Sequence, residues 1–123
     1  MQIALLVFVI SALTTYLTTP LVIRLAHRFN LVDDPKKHVH PAIIHKKTIP
    51  RAGGVAIWAG IVVGILLFIP ITKQVAGLVS ALTLTMIVGV LDDRYDLSPY
   101  WRLVSNLATA LLVVGSGIGI TFI

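Results

Sequence analysis

The sequence has no cysteine, so thiol chemistry is excluded and the redox compartment leaves no trace in it. Charge is scarce: 12% of residues are charged, about half the share of an ordinary soluble domain. Long polar stretches are also missing. The longest runs only from about His27 to Arg51, which leaves no room for a soluble domain. What remains is 57% hydrophobic with a mean hydropathy of +0.96, the composition of a membrane protein. A net charge of +5 could suggest a nucleic-acid partner, but where the charges fall fits membrane topology better, and no nucleic acid is expected.

The apolar runs predict an all-α, polytopic membrane protein with about four transmembrane helices, over 3–23, 54–70, 75–91 and 102–123, in a single membrane domain. The first run carries a face of Ser11, Thr14, Thr15, Thr18 and Thr19, and Pro20 is placed to kink its inner end. It has no preceding Lys or Arg and no small-residue cleavage site after it, so it reads as a span and not as a secretory signal. Arg24 and Arg28 mark the membrane exit. Gly60 and Gly64 give the second run a spacing that allows close helix contact. The connection 70–74 is so short that the second and third spans must form an antiparallel hairpin. Ser98 is placed to cap the fourth helix, Pro99 suits its first position, and Tyr100 and Trp101 sit where interfacial anchors belong.

Counting Lys and Arg sets the expected orientation. All but Lys73 lie in or beside the first and third connections, which the positive-inside rule places in the cytoplasm. The N-terminus then faces outward, and loops 24–53 and 92–101 are cytoplasmic. Every acidic residue and every histidine falls on that same side.

The chain is organised around Asp92-Asp93-Arg94-Tyr95-Asp96, where the third apolar run ends. Carboxylates at the negative end of a helix are disfavoured, and adjacent ones repel each other unless something positive is near. If the helix continues, Asp92, Asp93 and Asp96 share one face. The bland reading is a solvated helix end. The functional reading has one carboxylate deprotonating or orienting a phosphate nucleophile while the other lies close to a divalent cation, for which hard oxygen ligands suit Mg²⁺. Asp96 is the more exposed of the three and reads equally well as a plain loop residue.

In the basic loop, Lys36 and Lys37 read best as a positive-inside signal. His38, His40 and His45 fit no closed zinc site. The segment from His45 through Lys46, Lys47 and Arg51 to Gly53-Gly54 is more informative, because its cations can meet the phosphates of an anionic substrate. Two glycines entering a helix let backbone approach such a ligand closely.

Three motifs together, Asp34-Pro35, His45 through Pro50-Arg51-Ala52-Gly53-Gly54, and Leu91-Asp92-Asp93-Arg94-Tyr95-Asp96-Leu97-Ser98-Pro99, resemble the polyprenyl-phosphate sugar-1-phosphate transferases. Ile49-Pro50-Arg51 places the resemblance nearer the N-acetylglucosamine branch than the muramoyl-pentapeptide branch. It implies transfer of an N-acetylhexosamine 1-phosphate from a UDP-sugar to undecaprenyl or another polyprenyl phosphate, with UMP leaving and Mg²⁺ required. That would start cell-wall or surface-glycan synthesis at the cytoplasmic membrane, and it admits a homodimer. Asp92 and Asp93 match the family's first acidic pair, assigned here as catalytic and as candidate metal ligands. Lys46 matches a basic position facing the nucleotide sugar; His45, Lys47, Arg51, Asp96 and Arg102 join it as expected substrate-binding residues. Arg102 and Asn106 stand where many relatives have Lys and Gln, and the stretch between Pro35 and His45 is longer than in many members.

Family members have more spans than these four, with a later acidic loop carrying the main Mg²⁺ ligand and a later His-rich loop. The expectation is therefore an N-terminal portion of an enzyme, inactive alone. The rival reading from another class is a non-catalytic four-helix membrane subunit or a cation-binding or transport fragment. Against it, the acids lie at a membrane edge and not in mid-span. A prenyl diphosphate synthase, suggested by the Asp-Asp-x-x-Asp spelling, is excluded by the hydropathy.

Overall fold

The computed structural model describes residues 2–33 and 49–119, and only the backbone of Asp33. Four helices account for nearly all of it: α1 (Gln2–Arg28), α2 (Gly53–Phe68), α3 (Lys73–Tyr95) and α4 (Pro99–Gly115). The all-α expectation holds. In the most apolar windows of α1 and α3 only 6% of residues are buried, although both helices are long and apolar enough to cross a membrane. A core helix of a soluble protein would be covered; these present leucine, isoleucine and phenylalanine outward, as helices in lipid do.

The helix bounds differ from the hydropathy windows for physical reasons. α1 continues past the expected end at 23 and through Pro20 to Arg28, since Arg24, His27 and Arg28 are helix formers whose charge only marks the exit from lipid. Its Thr face is satisfied locally: Thr14, Thr15, Thr18 and Thr19 each donate to a carbonyl one turn back, at 2.7–2.9 Å. α3 likewise runs through Asp92 and Asp93 to Tyr95, so the acidic pair belongs to its last turn and not to a loop starting at 92. α4 begins at Pro99 with Ser98 in the N-cap position, as those two residues lead one to expect, three residues before the apolar span. It closes at Gly115 with a turn at Ser116-Gly117, well short of the expected 123. At 17 residues it is the short end for a span.

An element with no counterpart in the apolar pattern ties the ends of the basic loop together. β1 (Val32–Asp33) pairs antiparallel with β2 (Ile49–Pro50), Val32 opposite Pro50 and Asp33 opposite Ile49. Leu31 N–H donates to Ala26 O and Arg51 N–H to Leu31 O, each at 2.8 Å, which docks this bridge on the end of α1. The small core sits just there: Val22, Ala26, Leu31, Ala52 and Ala56, with Val55 and Val90 packed against it.

α1 packs along α2 and α3 along α4, with a looser seam between α2 and α3. Gly60 and Gly64 do allow close contact, and the helix they admit is α1. A Cβ at Gly60 would meet Thr15 Oγ1 and lie 2.6 Å from Ser11 O; one at Gly64 would meet Ser11 Oγ. Gly60→Val is therefore expected to destabilise the detergent-solubilised protein by about 1–3 kcal/mol through overpacking, read as a lower unfolding temperature. Gly89→Ala, where a Cβ meets nothing within 4 Å, should leave it unchanged or higher. Equal losses in both would refute the close α1–α2 seam.

Candidate active site

The last turn of α3 sends its two carboxylates to different neighbours. Asp92 Oδ1 accepts from Leu97 N–H at 3.1 Å and from Arg102 Nε at 2.9 Å. Arg102 Nη2 also reaches Asp96 Oδ1 at 3.4 Å, so the guanidinium bridges both acids across the α3–α4 elbow. The backbone forms this elbow because Asp96 adopts the left-handed conformation (φ 49°, ψ 65°), which Asp tolerates better than most residues, while its N–H donates to Asp92 O. Arg102 thus supplies the positive charge that a carboxylate at a helix C-terminus lacks. Asp96 is 92% exposed, so its share of this network is screened and small.

Asp93 turns the other way, toward α2. Its Oδ2 accepts from Ala52 N–H at 2.9 Å, at the positive end of α2. Asp93 closes one end of a groove of about 260 Å³ between α2 and α3, lined otherwise by apolar and small residues such as Val55, Trp58, Ile61, Leu82 and Val90. Trp58 Nε1 donates to Thr83 Oγ1 at 3.1 Å, which satisfies the indole across that seam. Asp92 and Arg102 instead line a second cavity of about 200 Å³ between α3 and α4, with Ser105, Asn106 and Thr109.

The expectation that Asp92, Asp93 and Asp96 share one helix face is therefore corrected. The helix ends at Tyr95 with Asp96 as its left-handed cap, and Asp92 and Asp93 are separated by about the angle consecutive helical residues always subtend. Arg94 lies over the Tyr95 ring, 5.4 Å from its centroid. Arg102 is brought to Asp92 and Asp96 as their counter-ion. Arg51 stands beside the site through the backbone, next to Ala52. His45, Lys46 and Lys47 fall outside the described residues, as do Asp34, Lys36 and Lys37. Among the described residues no three His, Cys, Asp or Glu side chains gather as a metal site. What the residue pattern did not disclose is Ala52: a backbone N–H carries no signal in a side-chain alphabet, although the neighbouring Gly53-Gly54 hinted at exposed backbone.

No protein-family model matches the chain, and no solved structure matches it. Curated proteins do. It is 34% identical over 117 residues to the probable undecaprenyl-phosphate N-acetylglucosaminyl 1-phosphate transferase of Bacillus subtilis, across 94% of this chain and 31% of that protein. By sequence the chain is similar to polyprenyl-phosphate N-acetylglucosamine-1-phosphate transferases. Two further relatives agree. The undecaprenyl-phosphate alpha-N-acetylglucosaminyl 1-phosphate transferase of Pasteurella multocida is 26% identical over 113 residues, covering 92% of this chain and 30% of that one. The decaprenyl-phosphate N-acetylglucosaminephosphotransferase of Mycolicibacterium smegmatis is 29% identical over 117 residues, covering 88% and 28%. The chain thus spans roughly three tenths of the length of the transferases it matches.

Proposed function

We propose that this chain forms part of an enzyme that transfers N-acetylglucosamine 1-phosphate from UDP-N-acetylglucosamine to a polyprenyl phosphate. The observation that carries this reading is Asp93 at the end of an apolar groove between two membrane helices, with Asp92 beside it. An apolar groove ending in a carboxylate suits an acceptor whose hydrocarbon lies in lipid and whose phosphate emerges at the membrane surface. A phosphate oxygen of the acceptor attacks the sugar-bearing phosphorus, the bond to the UMP oxygen breaks, and UMP leaves with its own phosphate. A lipid-linked sugar diphosphate remains.

In this scheme Asp93 orients the acceptor phosphate or takes its proton, and Arg102 neutralises Asp92. The basic loop, through His45, Lys46, Lys47 and Arg51, meets the nucleotide phosphates on the cytoplasmic side. Mg²⁺ is commonly held by one or two carboxylates together with substrate phosphates, and Asp93, at the end of the groove, would supply one, while Asp92 is held by Arg102. Bound, the ion would spread the charge that develops on the transferring phosphoryl group.

The test uses the full-length protein reconstituted in vesicles containing undecaprenyl phosphate. UMP release from UDP-N-acetylglucosamine is expected only when lipid acceptor, nucleotide sugar and Mg²⁺ are all present. Release without the lipid, or none with all three, would remove the reading.

A further inference from the structure

The residue just before α2 has an unusual backbone. An N-cap residue is normally extended and holds the helix N-terminus with its own side-chain oxygen. Ala52 is left-handed instead (φ 71°, ψ 19°) and has no side chain that could cap. An alanine in that region is strained, a strain that glycine would largely avoid. Yet the two glycines of this segment come immediately after, at Gly53 and Gly54, where a Cβ would meet open space. The strain sits where it is least cheap.

Two features show what the strained turn accomplishes. Ala52 is buried, at 7% exposure, in the cluster of Val22, Ala26, Leu31 and Ala56, against the end of α1. Its left-handed backbone aims its N–H at Asp93 Oδ2, 2.9 Å away, while the preceding N–H, of Arg51, is spent on Leu31 O. A chain of contacts therefore runs from α1 through Leu31 and Arg51–Ala52 to the carboxylate on α3. Among the described residues no other hydrogen bond fixes the Asp93 side chain.

We propose that Ala52 is a positioning residue, whose main-chain N–H holds the Asp93 carboxylate by Oδ2 so that Oδ1 faces the reacting phosphate. The proposal rests on the transferase reading for the identity of that phosphate, and on geometry alone for the hold on Asp93. It also gives the Pro50-Arg51-Ala52-Gly53-Gly54 segment a role distinct from binding substrate: it closes the basic loop and aims the carboxylate from one turn.

The test removes a single N–H from the full-length protein. Lactic acid installed at position 52 by nonsense suppression converts the Arg51–Ala52 peptide bond to an ester and keeps the methyl. Ala52→Gly keeps the N–H and relaxes the left-handed strain. The ester form is expected to lose about tenfold or more in kcat, as loss of a hydrogen bond to a charged group implies, with KM for the nucleotide sugar unchanged. Ala52→Gly should stay within about twofold of the parent in both constants. An ester form with parental kcat overturns the proposal, as does a loss shared equally by Ala52→Gly.

A second readout does not depend on turnover. Dicyclohexylcarbodiimide reaches carboxyl groups from the lipid phase, and a carboxylate deprived of a donor reacts faster. Modification of Asp93, followed by peptide mass spectrometry, should be several-fold faster in the ester form and unchanged in Ala52→Gly. Equal rates in all three refute the hold on Asp93. A faster ester form in a protein that releases no UMP would retain the hold and discard the transferase reading.

Discussion

Asp93→Asn in the full-length protein is expected to lower kcat for UMP release by about a thousandfold, with membrane insertion and yield unchanged. The size follows from what the group must do. Removing one preorganised charged contact to a transferring group typically costs about 10²–10³ in rate, and here proton acceptance is lost as well. Asparagine is nearly isosteric and can still accept from Ala52 N–H through its amide oxygen, so the turn before α2 and the α2–α3 seam stay in place. The loss then reports chemistry and not collapse. Asp92→Asn acts by another route, since it strips the counter-charge from Arg102 while leaving an oxygen for Leu97 N–H. Its effect should therefore grow at low salt, where the exposed half of that pair matters more. Measuring both variants by single-turnover release of UMP separates the two carboxylates. Turnover near the parental level in Asp93→Asn would end its assignment as the group that meets the acceptor.

The difference between these two aspartates marks where the chain could be read and where it could not. Hydropathy located the helices because burial in lipid is a property of long stretches, and those averages survive errors of a few residues at each end. It did not give the ends of α1 and α3, because arginine and aspartate can leave the membrane without leaving the helix. The Gly60–Gly64 spacing was legible as a close contact, since only glycine lets a backbone carbonyl such as Ser11 O approach so near. Which helix would fill it was not, because α1 carries no complementary signal beyond small hydroxyl side chains. Asp92, Asp93 and Asp96 stood out by their chemistry, and Arg102 by resemblance alone. Their pairing did not, because it depends on Asp96 turning left-handed and folding Arg102 back over α3. Ala52 was invisible for a deeper reason: what matters there is a φ angle and a peptide N–H, and every residue but proline has the second.

The orientation in the membrane gives an all-or-none expectation. The parent lacks cysteine within this chain, so a single introduced thiol reports its own side. His38→Cys in the basic loop should react with a membrane-impermeant maleimide only when the cytoplasmic face is open, as in inverted vesicles. Ile71→Cys, between α2 and α3, should react only in right-side-out vesicles or intact cells. Ile71 is preferable to its neighbour Thr72, whose side chain caps α3 by accepting from Val75 N–H at 3.3 Å. Ile71 is also 59% exposed, so a cysteine there is reachable without unfolding. The expectation rests on charge: moving the Lys and Arg of loop 24–53 across the bilayer would set the whole cluster against the positive-inside bias, with only Lys73 on the favoured side. It also constrains the chemistry. Asp93 lies beside Ala52, next to the paired strands that bound the basic loop, so the labelling pattern assigns a side to the candidate site. Reversed labelling would put the carboxylates outside the cell, away from any cytoplasmic nucleotide sugar, and the proposed donor would have to be abandoned even if Asp93 proved essential.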